Sequence, residues 1–163
     1  MTSQVSKEER SAQGDAIRIL DSHRIMSIAT NRPDGWPQNT IVGYANIGLT
    51  VYFVVFRSSQ KLANIRNDPR VAISVGHEPS GLDQLAAVYA GGLAQEVTDQ
   101  TEKAQAWKLL GERHQNLVGL NLPTAEQAAV MRVKCQYVSL LDYRVAFGHH
   151  ASFEVDRSEV APS

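Results

Sequence analysis

The chain has 163 residues, of which 43% are hydrophobic and 20% charged, a composition typical of one globular domain that folds without metal or disulfide support. Its 16 basic and 17 acidic residues give a formal charge of −1, so no overall field would recruit nucleic acid or an anionic membrane. The apolar runs are shorter than a membrane span and no signal peptide opens the chain, so we expect a cytoplasmic protein.

The first element is predicted to be a helix. Ser6 and Glu9 have the spacing of a capping box, in which each residue bonds the backbone of the other. Ala12, Ala16 and Leu20 then recur at helical spacing and predict one buried face.

Short runs of β-type composition begin at Ile25. Turn residues at Pro33-Asp34-Gly35 and Asn46-Ile47-Gly48 separate the first three runs, and connections this short indicate antiparallel hairpins. Gly91 and Gly92 lie inside a later run and predict a bulge or a close backbone approach. The predicted strands are Ile25–Thr30, Gln38–Ala45, Thr50–Phe56, Val71–Val75, Ala86–Gln95 and Met131 to about Tyr143.

Three further helices are predicted. One covers Lys61–Asn67 and ends before Pro69, because the residue preceding a proline avoids the helical conformation. Thr101–His114 has one apolar face at helical spacing. Thr124 and Gln127 form a second capping box, which predicts a short helix at that point.

Together these elements predict a mainly β fold, a six-stranded antiparallel barrel with peripheral helices. We assign residues 1–163 to a single domain, since no repeat or linker interrupts them. The barrel should cover about 22–155, and the tails 1–5 and 157–163 are expected to be flexible.

The third strand leads into a polar turn that contains Arg57, Ser58, Ser59 and Lys61. Hydroxyls, free backbone N–H groups and a lysine at the start of a helix suit a phosphate group. A lysine and two serines in such a turn are also what a solvated helix cap requires. The turn alone therefore leaves both interpretations open.

The order of these features resembles the pyridoxamine 5′-phosphate oxidase-like FMN-binding split barrels. The resemblance rests on the strand that begins Trp36-Pro37-Gln38-Asn39-Thr40, the turn Arg57-Ser58-Ser59-Gln60-Lys61 and the helix end Asn67-Asp68-Pro69-Arg70-Val71. The C-terminal Leu140-Leu141-Asp142-Tyr143, followed by Phe147-Gly148-His149, also looks like the closing strand of many members.

This resemblance implies a homodimer with FMN in a cleft that both subunits line. It assigns Ser59, Gln60 and Lys61 to the FMN phosphate, with Ser58 beside them, and the backbone of Val54 and Val55 to the flavin ring. The residues of the second strand that it places along the ring and the ribityl chain are Asn39, Thr40, Ile41 and Val42.

Two departures weaken any assignment to vitamin B6 oxidation itself. Ala45 stands near the position where the oxidases proper carry a lysine, and the C-terminal tail has only Arg157 in place of their arginine- and histidine-bearing segment. The leading hypothesis is therefore an FMN-dependent oxidoreductase acting on a small molecule. The alternatives are a deazaflavin (F420)-dependent reductase, a flavin or haem carrier or redox sensor without turnover, and a dimer without a cofactor.

Few side chains are candidates for chemistry of their own, because a flavin supplies its own redox reactivity. His149 is the candidate acid or base, with a role in closing the turn after Gly148 as the alternative, and His150 is expected to be exposed. The histidine spacing predicts no metal site. Cys135 lies in an alternating run and is interpreted as a buried structural thiol.

Overall fold

The computed structural model describes residues 6–117 and 122–155. Its helices are α1 (Lys7–Ser22), α2 (Gln60–Asn67) and α3 (Gln100–Arg113), with short 3-10 turns at Leu82–Gln84 and Gln115–Leu117. Its strands are β1 (Ile25–Asn31), β2 (Pro37–Ile47), β3 (Thr50–Phe56), β4 (Arg70–Gly76), β5 (Ala86–Glu96), β6 (Ala128–Asp142) and β7 (His150–Glu154).

The first six strands form a closed antiparallel barrel. Neighbours follow the order β3-β2-β1-β4-β5-β6, and β3 also pairs with β6, which closes the ring. The fifteen-residue strand β6 makes closure possible, because its first half pairs with β3 and its second half with β7, while β5 runs beside both halves.

The interior of the barrel is the main core. Alternate residues of each strand face inward, as the period of two requires, and among the largest buried side chains are Tyr44, Phe53 and Ile28. Helix α1 closes part of this core with Ala16 and Leu20, neither of which is exposed. The Tyr44 hydroxyl donates to the Leu20 carbonyl over 2.6 Å, so the buried phenol is paired with α1.

Strands β2 and β3 separate after their shared hairpin. They pair only across Tyr44–Ile47 and Thr50–Phe53, whereas the earlier part of β2 pairs with β1 and the later part of β3 with β6. The two strands therefore leave a split in the barrel wall. Helix α2 begins beside this split and contributes Leu62 and Ile65 to the core.

Helix α3 covers the outside of the wall at β2, β3 and β6. There Tyr52, Val97, Ala106 and Val130 form a second apolar cluster. The Arg132 guanidinium donates to both carboxylate oxygens of Glu102 at 2.8 and 2.7 Å, which ties β6 to α3.

The structure confirms the mainly β six-stranded barrel, the helix capped by Ser6 and the bulge between Gly91 and Gly92. The predicted helix after Thr124 is wrong. Gln127 does make the capping bond to Thr124, but β6 begins at Ala128, so the chain forms only a turn there.

Sequence reasoning also missed β7, a five-residue strand that pairs with β6 but not with the rest of the barrel. The predicted tails 1–5 and 157–163 lie outside the described residues. No helix within 6–117 and 122–155 combines the length and the apolar character of a transmembrane segment.

Candidate functional site

The turn after β3 delivers a serine and a lysine to the start of α2. Ser59 is the N-cap residue, with an extended backbone, and its Oγ accepts from the Leu62 N–H over 3.2 Å. This bond uses the oxygen as an acceptor and leaves the hydroxyl proton available for a ligand. The first turn of α2 contains no acidic residue, so nothing in that turn neutralises the positive end of the helix dipole.

Lys61 is half-buried at this positive helix end. Among the described residues no carboxylate forms an ion pair with it and no acceptor takes a hydrogen bond from it. Burial lowers the pKa of the Lys61 ammonium, because partial removal of water penalises the charged form. A half-buried cation beside unneutralised helix N–H groups is an arrangement that an anion would stabilise.

Arg57, four residues earlier, is differently placed. Its guanidinium donates to Glu96 Oε1 over 2.8 Å and to the Ala125 carbonyl over 3.0 Å. Its charge is therefore already compensated, and it fastens the segment before β6 to the turn. Lys61 is the cation of this turn that is left for a ligand.

Gln60 is exposed and belongs to an amide network that runs from the surface of α2 to the buried Asn64 and Thr30. Its Nε2 donates to Asn64 Oδ1 over 2.8 Å. Asn64 Nδ2 in turn donates to Thr30 Oγ1 and to Gln38 Oε1, both over 3.0 Å. The predicted phosphate residue Gln60 thus has its amide donor engaged within the protein, and Ser58 beside it is exposed.

The predicted residues of β2 divide between the two faces of the wall. Thr40 pairs with the buried Ile28 and shares its inward direction, as does Val42 opposite Met26. The Thr40 Oγ1 atom is buried and has no hydrogen-bond partner. Since buried hydroxyls are normally paired, this atom is a second polar group that a ligand in the split would satisfy.

Asn39 and Ile41 point to the outer face. Ser27 Oγ donates to Asn39 Oδ1 over 2.6 Å, and Ile41 is exposed. A shallow depression of about 220 Å³ lies on this face. It is lined by Ser27, Ala29, Asn39, Ala72, Ile73, Ser74, Tyr89, Ala90 and Tyr137.

The side chains of Val54 and Val55 are committed to packing. Val55 is buried in the main core, and Val54 packs against the cluster under α3. Their backbone pairs with Val130 and Ala129 of β6, and β2 does not pair with them on the other side. Their backbone, rather than their side chains, would therefore contact a ligand in the split.

Other candidates contribute less. Ala45 is 1% exposed and pairs with Tyr52 of β3, so the place of the absent lysine is filled by a buried methyl group. His149 and His150 are both exposed. The backbone N–H of His149 donates to the Ala146 carbonyl, and no hydrogen bond in the described part of the chain joins His149 to the turn after β3.

The donor set at the split fits a phosphorylated flavin. Lys61 and the N–H groups of α2 would hold the phosphate, the Ser59 hydroxyl would donate to it, and Thr40 and the strand edges offer polar contacts to a ring. The residues that sequence reasoning missed are Asn64, Thr30 and Gln38. Their signal was an asparagine inside a helix, between the apolar residues Leu62 and Ile65, where asparagine is unfavourable unless it is bonded.

Comparison with known proteins decides the family. Residues 15–142 match the family model described as pyridoxamine 5′-phosphate oxidase. The chain belongs to this family. The chain is also 30% identical over 75 residues to general stress protein 26 of Bacillus subtilis, a match that covers 46% of this chain and 53% of that protein.

Solved structures share the family's fold. A haem binding protein from Mycobacterium smegmatis superposes with a TM-score of 0.76 at 20% identity, over 88% of this chain and 57% of that one. An FAD-binding protein from Mesorhizobium loti superposes with a TM-score of 0.64 at 21% identity, over 77% of this chain and 91% of that one. The chain thus spans little more than half the length of the Bacillus relative and of the haem binding protein.

Proposed function

We propose that this chain is a cytoplasmic flavoprotein that binds FMN at the split between β2 and β3 and acts as an oxidoreductase on a small molecule. The observation that carries the proposal is Lys61. It is half-buried at the N-terminus of α2, without an ion-pair partner among the described residues.

The electrostatics favour a phosphate at this point. A phosphate would compensate the Lys61 ammonium and accept from the Ser59 hydroxyl and from N–H groups of the first turn of α2. Charge-assisted bonds of this kind are about twice as strong as neutral ones. The helix dipole adds a further attraction for an anion. A neutral ligand would leave the lysine uncompensated.

The split also supports a flat polar ring. The facing edges of β2 and β3 have no strand between them, and the Thr40 hydroxyl lacks a partner. Bound FMN would supply two-electron transfer. The chain's own residues would hold the phosphate, orient the ring and exclude water from one face of it, so an essential acid or base on this chain is not required.

The named neighbours support a flat, redox-active cofactor. One is described as an FAD-binding protein and another as a haem binding protein. We favour FMN over haem because the turn offers a lysine and helix N–H groups for a single phosphate, while His149 and His150 are both exposed, His150 as the first residue of β7. A deazaflavin presents a similar ring and phosphate to the same residues and remains the alternative cofactor.

We further propose that the protein is a homodimer with the cofactor at the subunit interface. The outer face of β1, β2, β5 and β6 supports this assignment, because it exposes several large apolar side chains. These are Ile25, Ile41, Tyr89, Leu93 and Tyr137. Contiguous apolar patches on a folded protein mark interaction surfaces, and Ile41 joins this face to the strand proposed to contact the ring.

A spectrum and a titration test the proposal. Purified protein incubated with excess FMN should give a flavin absorption spectrum after desalting, and release of the chromophore identifies FMN, deazaflavin or haem. Lys61→Met should weaken FMN binding by about 1.5–3 kcal/mol, roughly 10- to 150-fold, the worth of a charge-assisted hydrogen bond.

Lys108→Met is the matched control, since Lys108 is an exposed lysine on α3. It should leave the affinity for FMN unchanged. Wild-type protein with no affinity for FMN would reject the proposal. Equal losses in the two lysine variants would reject the phosphate site.

A further inference from the structure

Asn64 is a fully buried amide in the middle of α2. Its exposed fraction is 0%, and its side chain makes three hydrogen bonds in different directions. It accepts from Gln60 Nε2 at 2.8 Å and donates to Thr30 Oγ1 and Gln38 Oε1, each at 3.0 Å. These partners lie on α2 itself, on β1 and on β2.

Apolar packing alone would not demand an asparagine here. Leu62 and Ile65 already bury α2 against the core, and an asparagine inside a helix lowers helix propensity. Apolar contacts leave a short helix some freedom to slide and rotate, whereas directional bonds specify one arrangement. The two bonds to Thr30 and Gln38 therefore fix the rotation of α2 relative to β1 and β2, and the bond from Gln60 holds the Asn64 amide in the orientation that makes them.

This rotation matters at the split. Lys61 precedes Asn64 by three residues, a spacing that puts two side chains on neighbouring positions of a helix surface. Gln38 lies two residues before Thr40, on the same inward face of β2. The network therefore joins the helix that carries the lysine to the strand that carries the unsatisfied hydroxyl.

We propose that Asn64 is a positioning residue that gives the site its selectivity for a phosphorylated flavin over an unphosphorylated one. This inference rests on the proposed function. By holding α2 in register with β2, Asn64 keeps Ser59 and Lys61 where a phosphate can meet them while the ring lies along β2. Loss of the network lets α2 shift, which weakens the phosphate contacts and leaves the ring contacts in place.

The experiment compares FMN with riboflavin, which has the same ring and ribityl chain but no phosphate. Dissociation constants for both are measured by flavin fluorescence for wild type, Asn64→Ala and Thr30→Val. Thr30→Val keeps the buried shape and removes one acceptor of the network, so it tests the inference even where Asn64→Ala fails to fold. Asn67→Ala is the control, because Asn67 is exposed on the same helix.

We expect Asn64→Ala to weaken FMN binding by about five- to tenfold and riboflavin binding by less than about twofold, as the loss of positioning hydrogen bonds implies. Thr30→Val should shift the FMN-to-riboflavin ratio in the same direction by about two- to fivefold. Asn67→Ala should leave the ratio unchanged. In the cofactor-free protein, amide hydrogen exchange of α2 should be faster in the Asn64 and Thr30 variants only.

An unchanged ratio in folded Asn64 or Thr30 variants would overturn the inference, as would equal losses for both flavins. In either case FMN binding by the wild type would still support the proposed function. Wild-type protein that binds neither flavin would overturn the proposed function and this inference together.

Discussion

The surroundings of individual side chains in this protein determine whether they are available for chemistry. Arg57 and Lys61 stand four positions apart in one turn, yet Arg57 has a carboxylate partner in Glu96 and Lys61 has none within the described residues. The reactivity of the Cys135 thiol is also set by its surroundings. Burial raises the pKa of its thiol to about 12, which removes thiolate reactivity at neutral pH.

A buried thiol and a buried phenol should make the protein less stable at alkaline pH. Burial raises the pKa of Cys135 and also, together with the bond to Glu102, raises the pKa of Tyr52 to about 12. An unfolded chain loses these protons near pH 9 and 10, at the ordinary thiol and phenol values. The unfolded state then binds fewer protons than the folded state, so the free energy of unfolding falls as pH rises from about 9 towards 12.

Urea denaturation between pH 8 and 11 measures this effect. The slope should approach about 1.4 kcal/mol per pH unit for each group deprotonated only in the unfolded state. Cys135→Ala should reduce this slope. The variant also loses packing contacts, but that loss lowers the free energy of unfolding equally at every pH and does not change the slope. A slope identical to that of wild type would contradict the assignment to the thiol.

At the scale of elements, short segments are stable here only through their contacts. Helix α2 has eight residues, too few for a stable isolated helix. The Ser59 cap, the apolar contacts of Leu62 and Ile65, and the bonds of Asn64 hold it against the barrel. A helix that depends on its surroundings in this way can be positioned finely by a single buried amide.

The register shift between β5 and β6 at Gly91 and Gly92 is a second feature that depends on close approach. A Cβ on Gly92 would lie 2.3 Å from the Lys134 carbonyl oxygen of β6, and a Cβ on Gly91 would meet the Tyr137 ring at 2.1 Å. The Lys134 backbone in a central strand can move less to relieve a clash than the exposed Tyr137 side chain can. Position 91 should therefore accept an added side chain more easily than position 92.

Alanine substitutions should separate these glycines. Gly92→Ala should lower the free energy of unfolding by about 1–3 kcal/mol, the usual range for overpacking. Gly91→Ala should cost less, and Tyr137→Ala in the same chain should remove that cost. Gly111→Ala is the control: a Cβ there meets nothing within 4 Å in α3, so it should stabilise the helix by about 0.5–1 kcal/mol. Equal losses at 91 and 92 would show that backbone clash is not the cause.

For the whole molecule, closure of the barrel separates an inner core from an outer face with its own apolar character. Residues at odd positions of β1 and β2, including Ile25 and Ile41, are turned away from the core by the pairing register. They join Tyr89 of β5 and Tyr137 of β6 on one surface. Neither the length nor the composition of the chain indicates such a surface.

A charge on this surface should separate the proposed dimer. Ile25 is 56% exposed, so Ile25→Glu should leave folding of the subunit nearly unchanged while placing a carboxylate in the interface. Sedimentation velocity should give the mass of a dimer for wild type and of a monomer for Ile25→Glu. The monomer should also bind FMN more weakly than the wild-type dimer. Leu82→Glu, at an exposed leucine in the 3-10 turn before β5, should remain dimeric. A dimeric Ile25→Glu would exclude this face as the interface.

Local rules were sufficient for most of the elements. Capping residues, turn glycines and the period of two placed three helices and six strands, because these signals depend on neighbouring residues in the chain. The same rules failed at Thr124, where a capping bond formed without a helix because β6 starts at once. They also missed β7, whose pairing depends on β6 rather than on its own pattern.

The candidate site shows the same division. The sequence by itself determined the strand, turn and helix that bring Ser59 and Lys61 together, and the order of motifs that marks the family. Only the tertiary structure decided that Arg57 is neutralised by Glu96, that Thr40 and Asn39 lie on opposite faces, and that Asn64 links α2 to β1 and β2. The reason is physical: charge compensation and buried hydrogen bonds are set by distances between residues far apart in the chain, which local patterns do not specify.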